Sequence, residues 1–253
     1  MKVYIKAAVT SILDESHSVQ VELAEDPNTS SDVLATLSTI GEYGIDICIA
    51  ENPNVSRDTL LCLMNRYAED SAAAGIFRAI ARNPGTPVDI LRELVDYDNH
   101  GDSSIRYYVA KNPKTPIDVM HQLVKDDDID VRFGLTENPN VPLEIIKILA
   151  DDREYDIRSE IADREDIPID IIAKLAKDPI DIVRWDIASN KITPSEILHE
   201  LSFDPDWKIR WEVARHPNAF VSTLERLEND VSPKVREYAS KRIPKFWRNR
   251  NKQ

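Results

Sequence analysis

The amino-acid sequence predicts an all-α fold, a solenoid of two-helix repeats about 26 residues long, and three columns of residues carry that prediction. Leu123, Leu149, Leu175, Leu201 and Leu227 are spaced by 26 throughout. Arg106, Arg132, Arg158, Arg184, Arg210 and Arg236 keep the same spacing, and so do Asp126, Asp152, Asp178, Asp204 and Asp230. Asn-Pro recurs beside them at Asn52-Pro53, Asn83-Pro84, Asn112-Pro113 and Asn138-Pro139, with Asp26-Pro27 and His216-Pro217 as variants. The earlier copies fall into register once about five residues are inserted between Pro53 and Pro84 and about three between Pro84 and Pro113.

Each unit reads as two short helices. The first is illustrated by Thr115 to Asp126, TPIDVMHQLVKD. Thr115 is expected as the N-cap, its hydroxyl accepting an orphan backbone N–H. Pro116 then suits the first helical position, where no donor is needed. Asp118 lies in the first turn, where the helix dipole favours an anion. Val119, Met120, Leu123 and Val124 form the apolar stripe. Thr193-Pro194-Ser195-Glu196 repeats the device as a capping box. The second helix is expected to open at the Asp column, with Asp178-Pro179 and Asp204-Pro205 as N-cap and first position. It stops near the next Asn-Pro, because the residue before a proline avoids helical geometry. Ala110, Ala162, Ala188 and Ala214 near its end allow close approach of the neighbouring unit. No such unit buries both apolar faces alone, so the units must stack around one continuous core. We expect one elongated domain over 1–253: a cap at 1–18, approximately nine repeats at 19–243 and a basic tail at 244–253.

The unit, roughly N-P-x-T-P-x-x-(I/V)-L-x-x-L-(A/V)-x-D…(V/I)-R-x-x-(I/V)-A, resembles the leucine-rich repeat variant family, which is related in shape to HEAT-type repeats. The resemblance runs from about Val19 to Ile243. It implies a right-handed superhelix of alternating helices, with one layer open to being of 3₁₀ type. It also implies that the Asp and Arg columns are structural. Some members of that family carry an N-terminal cysteine cluster holding an iron–sulfur centre. Cys48 and Cys62, the two cysteines of this chain, sit inside repeats, so no cofactor is carried over.

Composition narrows the function. Of 253 residues, 42% are hydrophobic and 30% charged, which suffices for a buried core. The net charge of −13 disfavours nucleic acid as a general partner. Lys241, Arg242, Lys245, Arg248, Arg250 and Lys252 give the last thirteen residues +6, leaving −19 on the other 240. Two cysteines exclude a disulfide framework or a four-cysteine metal site. The N-terminus has no long apolar run or cleavage site, and no stretch approaches the roughly 18 apolar residues of a membrane span. A cytoplasmic protein is expected.

Six glycines and the absence of any G-x-G-x-x-G, Walker or G-x-S-x-G sequence leave no phosphate-cradling loop or nucleophile elbow. His17, His100, His121, His199 and His216 make no metal-binding spacing. The acidic runs from Asp126 to Asp130 and from Asp151 to Glu154 lack calcium-loop spacing. No catalytic residue, metal ligand or cofactor site is therefore expected.

The arginine column reads as an inter-repeat ladder, each guanidinium meeting an Asp or a carbonyl of a neighbouring unit. The first three units carry Gln20, Asp46 and Phe77 instead. The position after each arginine holds Tyr107, Phe133, Ser159, Trp185 and Trp211, with Arg78 and Glu237 at either end. About 200° from the preceding apolar anchor, it should face one side of the solenoid. With Asp186 and Glu212 beside it, this stripe is the candidate partner-binding surface. The expectation is a non-catalytic protein- or peptide-binding scaffold. The alternative is a HEAT-like nucleic-acid-binding or DNA-base-repair protein, which would need a basic groove around Trp185 and Trp211.

Overall fold

A computed structural model of the chain describes residues 12–70, 74–97 and 103–243. The tail at 244–253, His100 and most of the expected N-terminal cap lie outside them. Among the described residues there are seventeen α-helices and no strand. In chain order they are α1 (His17–Glu25), α2 (Ser31–Leu37), α3 (Tyr43–Glu51), α4 (Arg57–Tyr67), α5 (Ala74–Arg82), α6 (Val88–Val95), α7 (Ser104–Lys111), α8 (Ile117–Leu123) and α9 (Ile129–Thr136). They continue as α10 (Leu143–Leu149), α11 (Tyr155–Asp163), α12 (Ile169–Leu175), α13 (Asp181–Ser189), α14 (Ser195–Leu201), α15 (Trp207–Arg215), α16 (Val221–Leu227) and α17 (Pro233–Arg242).

Two compact units, Met1–Pro142 and Leu143–Gln253, divide the chain. In the first, odd-numbered helices stack on one another from α1 to α9, with even-numbered helices against them. In the second, α11, α13, α15 and α17 stack in the same way, with α12, α14 and α16 on their other side. The fold is thus an all-α repeat solenoid. The space between the two layers is filled by the periodic apolar positions: Leu123, Leu149, Leu175, Leu201 and Leu227 are all buried, and Ala110, Ala162, Ala188 and Ala214 are fully so. The closest approach of a glycine to another helix's backbone is at Gly134 of α9. A Cβ there would sit 2.6 Å from the Tyr107 carbonyl of α7, so only glycine fits the contact.

The layer that the family resemblance left open as 3₁₀ is α-helical. Its first turns close with i→i+4 bonds, as from Met120 N–H to the Pro116 carbonyl at 3.0 Å and from Leu198 N–H to Pro194 at 3.0 Å. The 3₁₀ segments among the described residues are Ile12–Asp14 and Ser38–Ile40.

Two expectations about helix starts are corrected. Pro116 and Pro194, not Thr115 and Thr193, are the N-cap residues of α8 and α14, in extended geometry. The threonine hydroxyls point back to the preceding helix instead. Thr193 Oγ1 donates to the Ile187 carbonyl at 2.6 Å and Thr115 Oγ1 to that of Val109. Each reaches one of the last carbonyls of the odd helix, and that of Val109 also accepts from the Asn112 N–H at 3.1 Å. Likewise α13 begins at Asp181 with Ile180 as its N-cap, and α15 at Trp207 with Asp206. Asp178 and Asp204 lie before the helices and accept from the N–H two residues on, at 2.9 and 2.8 Å. They make Asx turns that free their outer oxygens for a neighbour.

Candidate functional site

Two buried polar ladders hold the repeats, and they settle which charged residues remain for a partner. The first is built from the Asn-Pro motif. Asn138, fully buried, donates through Nδ2 to the carbonyls of Ala110 and Asn112 in the preceding repeat, both at 2.7 Å. Its Oδ1 accepts from Asn140 N–H at 2.9 Å. Asn52, Asn83, Asn112 and Asn190 repeat this with Ala24 and Asp26, Ala50 and Asn52, Ala81 and Asn83, and Ala162 and Arg164. Where the column changes residue the bond is kept. His216 Nε2 lies 2.9 Å from the Asn190 carbonyl, and Arg242 reaches those of Ala214 and His216. Sequence reasoning took Asn-Pro only as a helix stop. The signal was there: an amide, with two donors and an acceptor, repeated at a position that turn chemistry alone would leave free.

The second ladder joins residues i and i+20. Arg158 Nε and Nη2 grip Asp178 at 2.6 and 2.9 Å, while Nη1 donates to the Asp152 carbonyl at 2.7 Å. Arg184 does the same with Asp204 and the Asp178 carbonyl, and Arg210 with Asp230 and the Asp204 carbonyl. Arg106 pairs with Asp126 at 2.7 and 3.3 Å. Arg132 and Arg236 donate to the carbonyls of Asp126 and Asp230, and Asp152 caps its own turn at Glu154 N–H.

Two of the three units without arginine keep the rung and change its chemistry, and the third keeps only bonds to upstream carbonyls. Asp46 stands in the arginine position, and its partner twenty residues on is Arg66, at 2.6 Å: the same pair with its signs exchanged. Tyr67 Oη donates to the same oxygen at 2.8 Å. Phe77 stacks on Tyr97, also twenty residues on, with ring centroids 3.9 Å apart. Gln20 donates to the Ile12 and Leu13 carbonyls at 3.3 and 3.1 Å, the role of the arginine Nη1.

The stripe beside the ladder differs between units. In the first, Arg78 and Tyr107 line adjoining cavities of about 250 and 440 Å³ that share Arg82 and Tyr108. Tyr107 is half-buried and donates to Glu137 at 2.6 Å, and Phe133 is half-buried on α9. In the second unit Trp185 is 39% exposed. Trp211 is half-buried between Arg215, whose guanidinium lies 4.3 Å from its ring centre, and Tyr238, edge-on at 5.4 Å.

Asp186 and Glu212, expected beside the ridge as surface charges, are instead buried between the odd helices. One residue further round the helix, about 100°, turns the side chain from the open face into the neighbouring helix. Glu212 is bound by Arg215 at 3.1 Å, and Asp186 accepts from the Ser159 hydroxyl. Burial pushes the Asp186 carboxyl up to about 6, with nearby Asp163 and Glu160 adding to the shift and the Ser159 bond opposing it. The folded pKa thus lies above the unfolded one near 4, so the native state holds the extra proton between about pH 4 and 6 and stability falls as pH rises through that window. Asp186→Asn is expected to abolish this fall and to be more stable than the parent at pH 7.5 by on the order of 2 kcal/mol. Urea denaturation at pH 4.5 and 7.5 reads both effects; a parent whose stability is flat across that range contradicts them.

Sequence reasoning missed Ile182 and Trp207, which are 47% and 37% exposed on the same face. Their spacing was informative: 182 to 185 and 207 to 211 are i,i+3 and i,i+4 pairs. Ile182, Trp185, Asp181, Asp206 and Lys208 surround a surface cavity of about 340 Å³ between α13 and α15.

This architecture, stacked helix pairs locked by polar ladders, defines an α-solenoid repeat protein. Among solved structures the chain is similar to a leucine-rich repeat variant described as having a novel repetitive structural motif. The two are 23% identical, with a TM-score of 0.59, over 83% of this chain and 85% of that one. The chain has that fold. No protein-family model and no curated protein matches it. No described helix is long and apolar enough to cross a membrane.

Proposed function

We propose that the protein is a non-catalytic scaffold that binds a peptide segment of a partner protein on the open face of α13 and α15. The observation that carries this is the cavity lined by Ile182 and Trp185, with Trp207 beside it. Large apolar side chains are left in solvent there, although the ladder arginines of the same helices, Arg184 and Arg210, are paired. Tryptophans in such positions are the usual anchors of protein interfaces. The electrostatic balance of the chain argues against a nucleic-acid partner.

The test is selection of peptides from a displayed random library on the full chain. Selected peptides are expected to lose at least about tenfold in affinity for Trp185→Ala and for Ile182→Glu, the second adding an unpaired charge at the cavity mouth. Circular dichroism verifies that both variants keep their helices. Binders indifferent to both substitutions would refute the site. Tight binding of duplex DNA by the parent at about 150 mM salt would refute the class of partner.

A further inference from the structure

The open face of the second unit is sorted by charge along the stack. On α11 it presents Asp156 and Asp163, both exposed and at the repeat positions of Ile182 and Arg215. On α13 it presents Ile182 and Trp185, with the exposed Asp181 beside them at the acidic side. On α15 it presents Trp207, Lys208 and Arg215, and on α17 Lys234, Tyr238 and Lys241. Lysine and arginine lie against the aromatic rings at the far end: Lys234 is 5.1 Å from the Trp207 ring centre and Lys241 5.7 Å from that of Tyr238. The acids at that end pair with two of these cations, Glu237 with Lys241 at 2.6 Å and Glu212 with Arg215 at 3.1 Å, so the excess positive charge there is carried by Lys208 and Lys234. Nearer the middle, Asp206 is held by the Lys208 N–H.

We infer that this face takes a partner segment whose own charges are segregated: basic at the end lying over α11, apolar in the middle against Ile182 and Trp185, and acidic at the end crossing α15 and α17. The inference rests on the binding face proposed above and adds the chemistry of its occupant. Opposite potentials meeting along an interface set register and reject wrong partners. A uniformly acidic chain, polynucleotide or peptide, meets like charge on α11, and a uniformly basic one meets it on α15 and α17. Four helices packed at about 9–10 Å give a face on the order of 30 Å long, the reach of about nine extended residues.

The experiment uses the full chain and two fluorescein-labelled synthetic peptides of one composition. Both have the same Trp- and Leu-containing centre; one has lysines at one end and glutamates at the other, and the other has the same charges alternating. Anisotropy titration is expected to show the segregated peptide binding about tenfold tighter, an advantage that shrinks as salt is raised from about 50 to 300 mM. The double variant Asp156→Lys, Asp163→Lys is expected to bring the two peptides within about twofold of each other. Equal affinities in the parent, both lost in Trp185→Ala, would overturn the charge inference and leave the site standing. If neither peptide binds, or if duplex DNA binds more tightly than both, the inference and the site fall together.

Discussion

Replacing Arg210 by alanine is expected to cost about 3–5 kcal/mol of unfolding free energy, the cost of breaking a buried pair by deleting one partner. The Arg210 side chain is 9% exposed and that of Asp230 4%. The guanidinium makes two bonds to the carboxylate and one to the Asp204 carbonyl. The variant leaves a buried carboxylate with the N–H of Ser232 at 2.8 Å and the charge of nearby Arg226, and strips the carbonyl as well. Burial alone would raise the Asp230 carboxyl, but the Arg210 and Ser232 bonds outweigh it and hold the group below the usual carboxylate range. Its contribution is therefore present above the unfolded pKa near 4 and lost as pH falls through the lower folded value. The gap between parent and variant should be widest near pH 7 and narrow below about pH 4. Urea denaturation across pH measures both; a variant as stable as the parent at pH 7 would mean the rung carries no load.

The second large effect concerns the reversed rung. Asp46→Arg, facing Arg66 with its side chain fully removed from water, is expected to destabilise by about 4 kcal/mol. The exchange Asp46→Arg, Arg66→Asp restores the order found at Arg106 and Asp126 and is expected to recover more than half of that loss. Recovery stays incomplete because the Tyr67 hydroxyl loses its carboxylate. Burial lifts the Tyr67 hydroxyl, with the Asp46 bond adding to it, to about 12, so loss of that bond in the exchanged protein moves the phenol back down. A double-mutant cycle by urea denaturation gives the coupling. If the exchange is no better than the single change, positions 46 and 66 are not a rung equivalent to the others.

The reversed rung marks where sequence reading reached its limit. A strict column of arginine is visible as a column; Asp46 and Phe77 break it, and nothing in their identities says that Arg66 and Tyr97 lie across from them. A contact at i+20 is made by folding, and packing accepts an exchanged ion pair or an aromatic stack provided the volume between helices is filled. The aromatic stripe shows the opposite limit. A period of 26 says that positions are equivalent, not how deeply each is covered. Trp185 is left open while Trp211, one repeat on, is closed over by Arg215 and Tyr238.

The repeat length, the two-helix unit and the apolar positions were legible from residues alone, because they are periodic and local: helix periodicity, proline stops and small residues at close approaches act within one unit. What only the tertiary structure decided was the partner of each polar group. The threonines serve the preceding helix rather than their own, the asparagines serve the preceding repeat, and Asp186 and Glu212 turn inward from a face they were expected to decorate. Those outcomes depend on which carbonyl, guanidinium or ring the neighbouring repeat presents, and a buried polar group takes whatever partner stacking brings within reach.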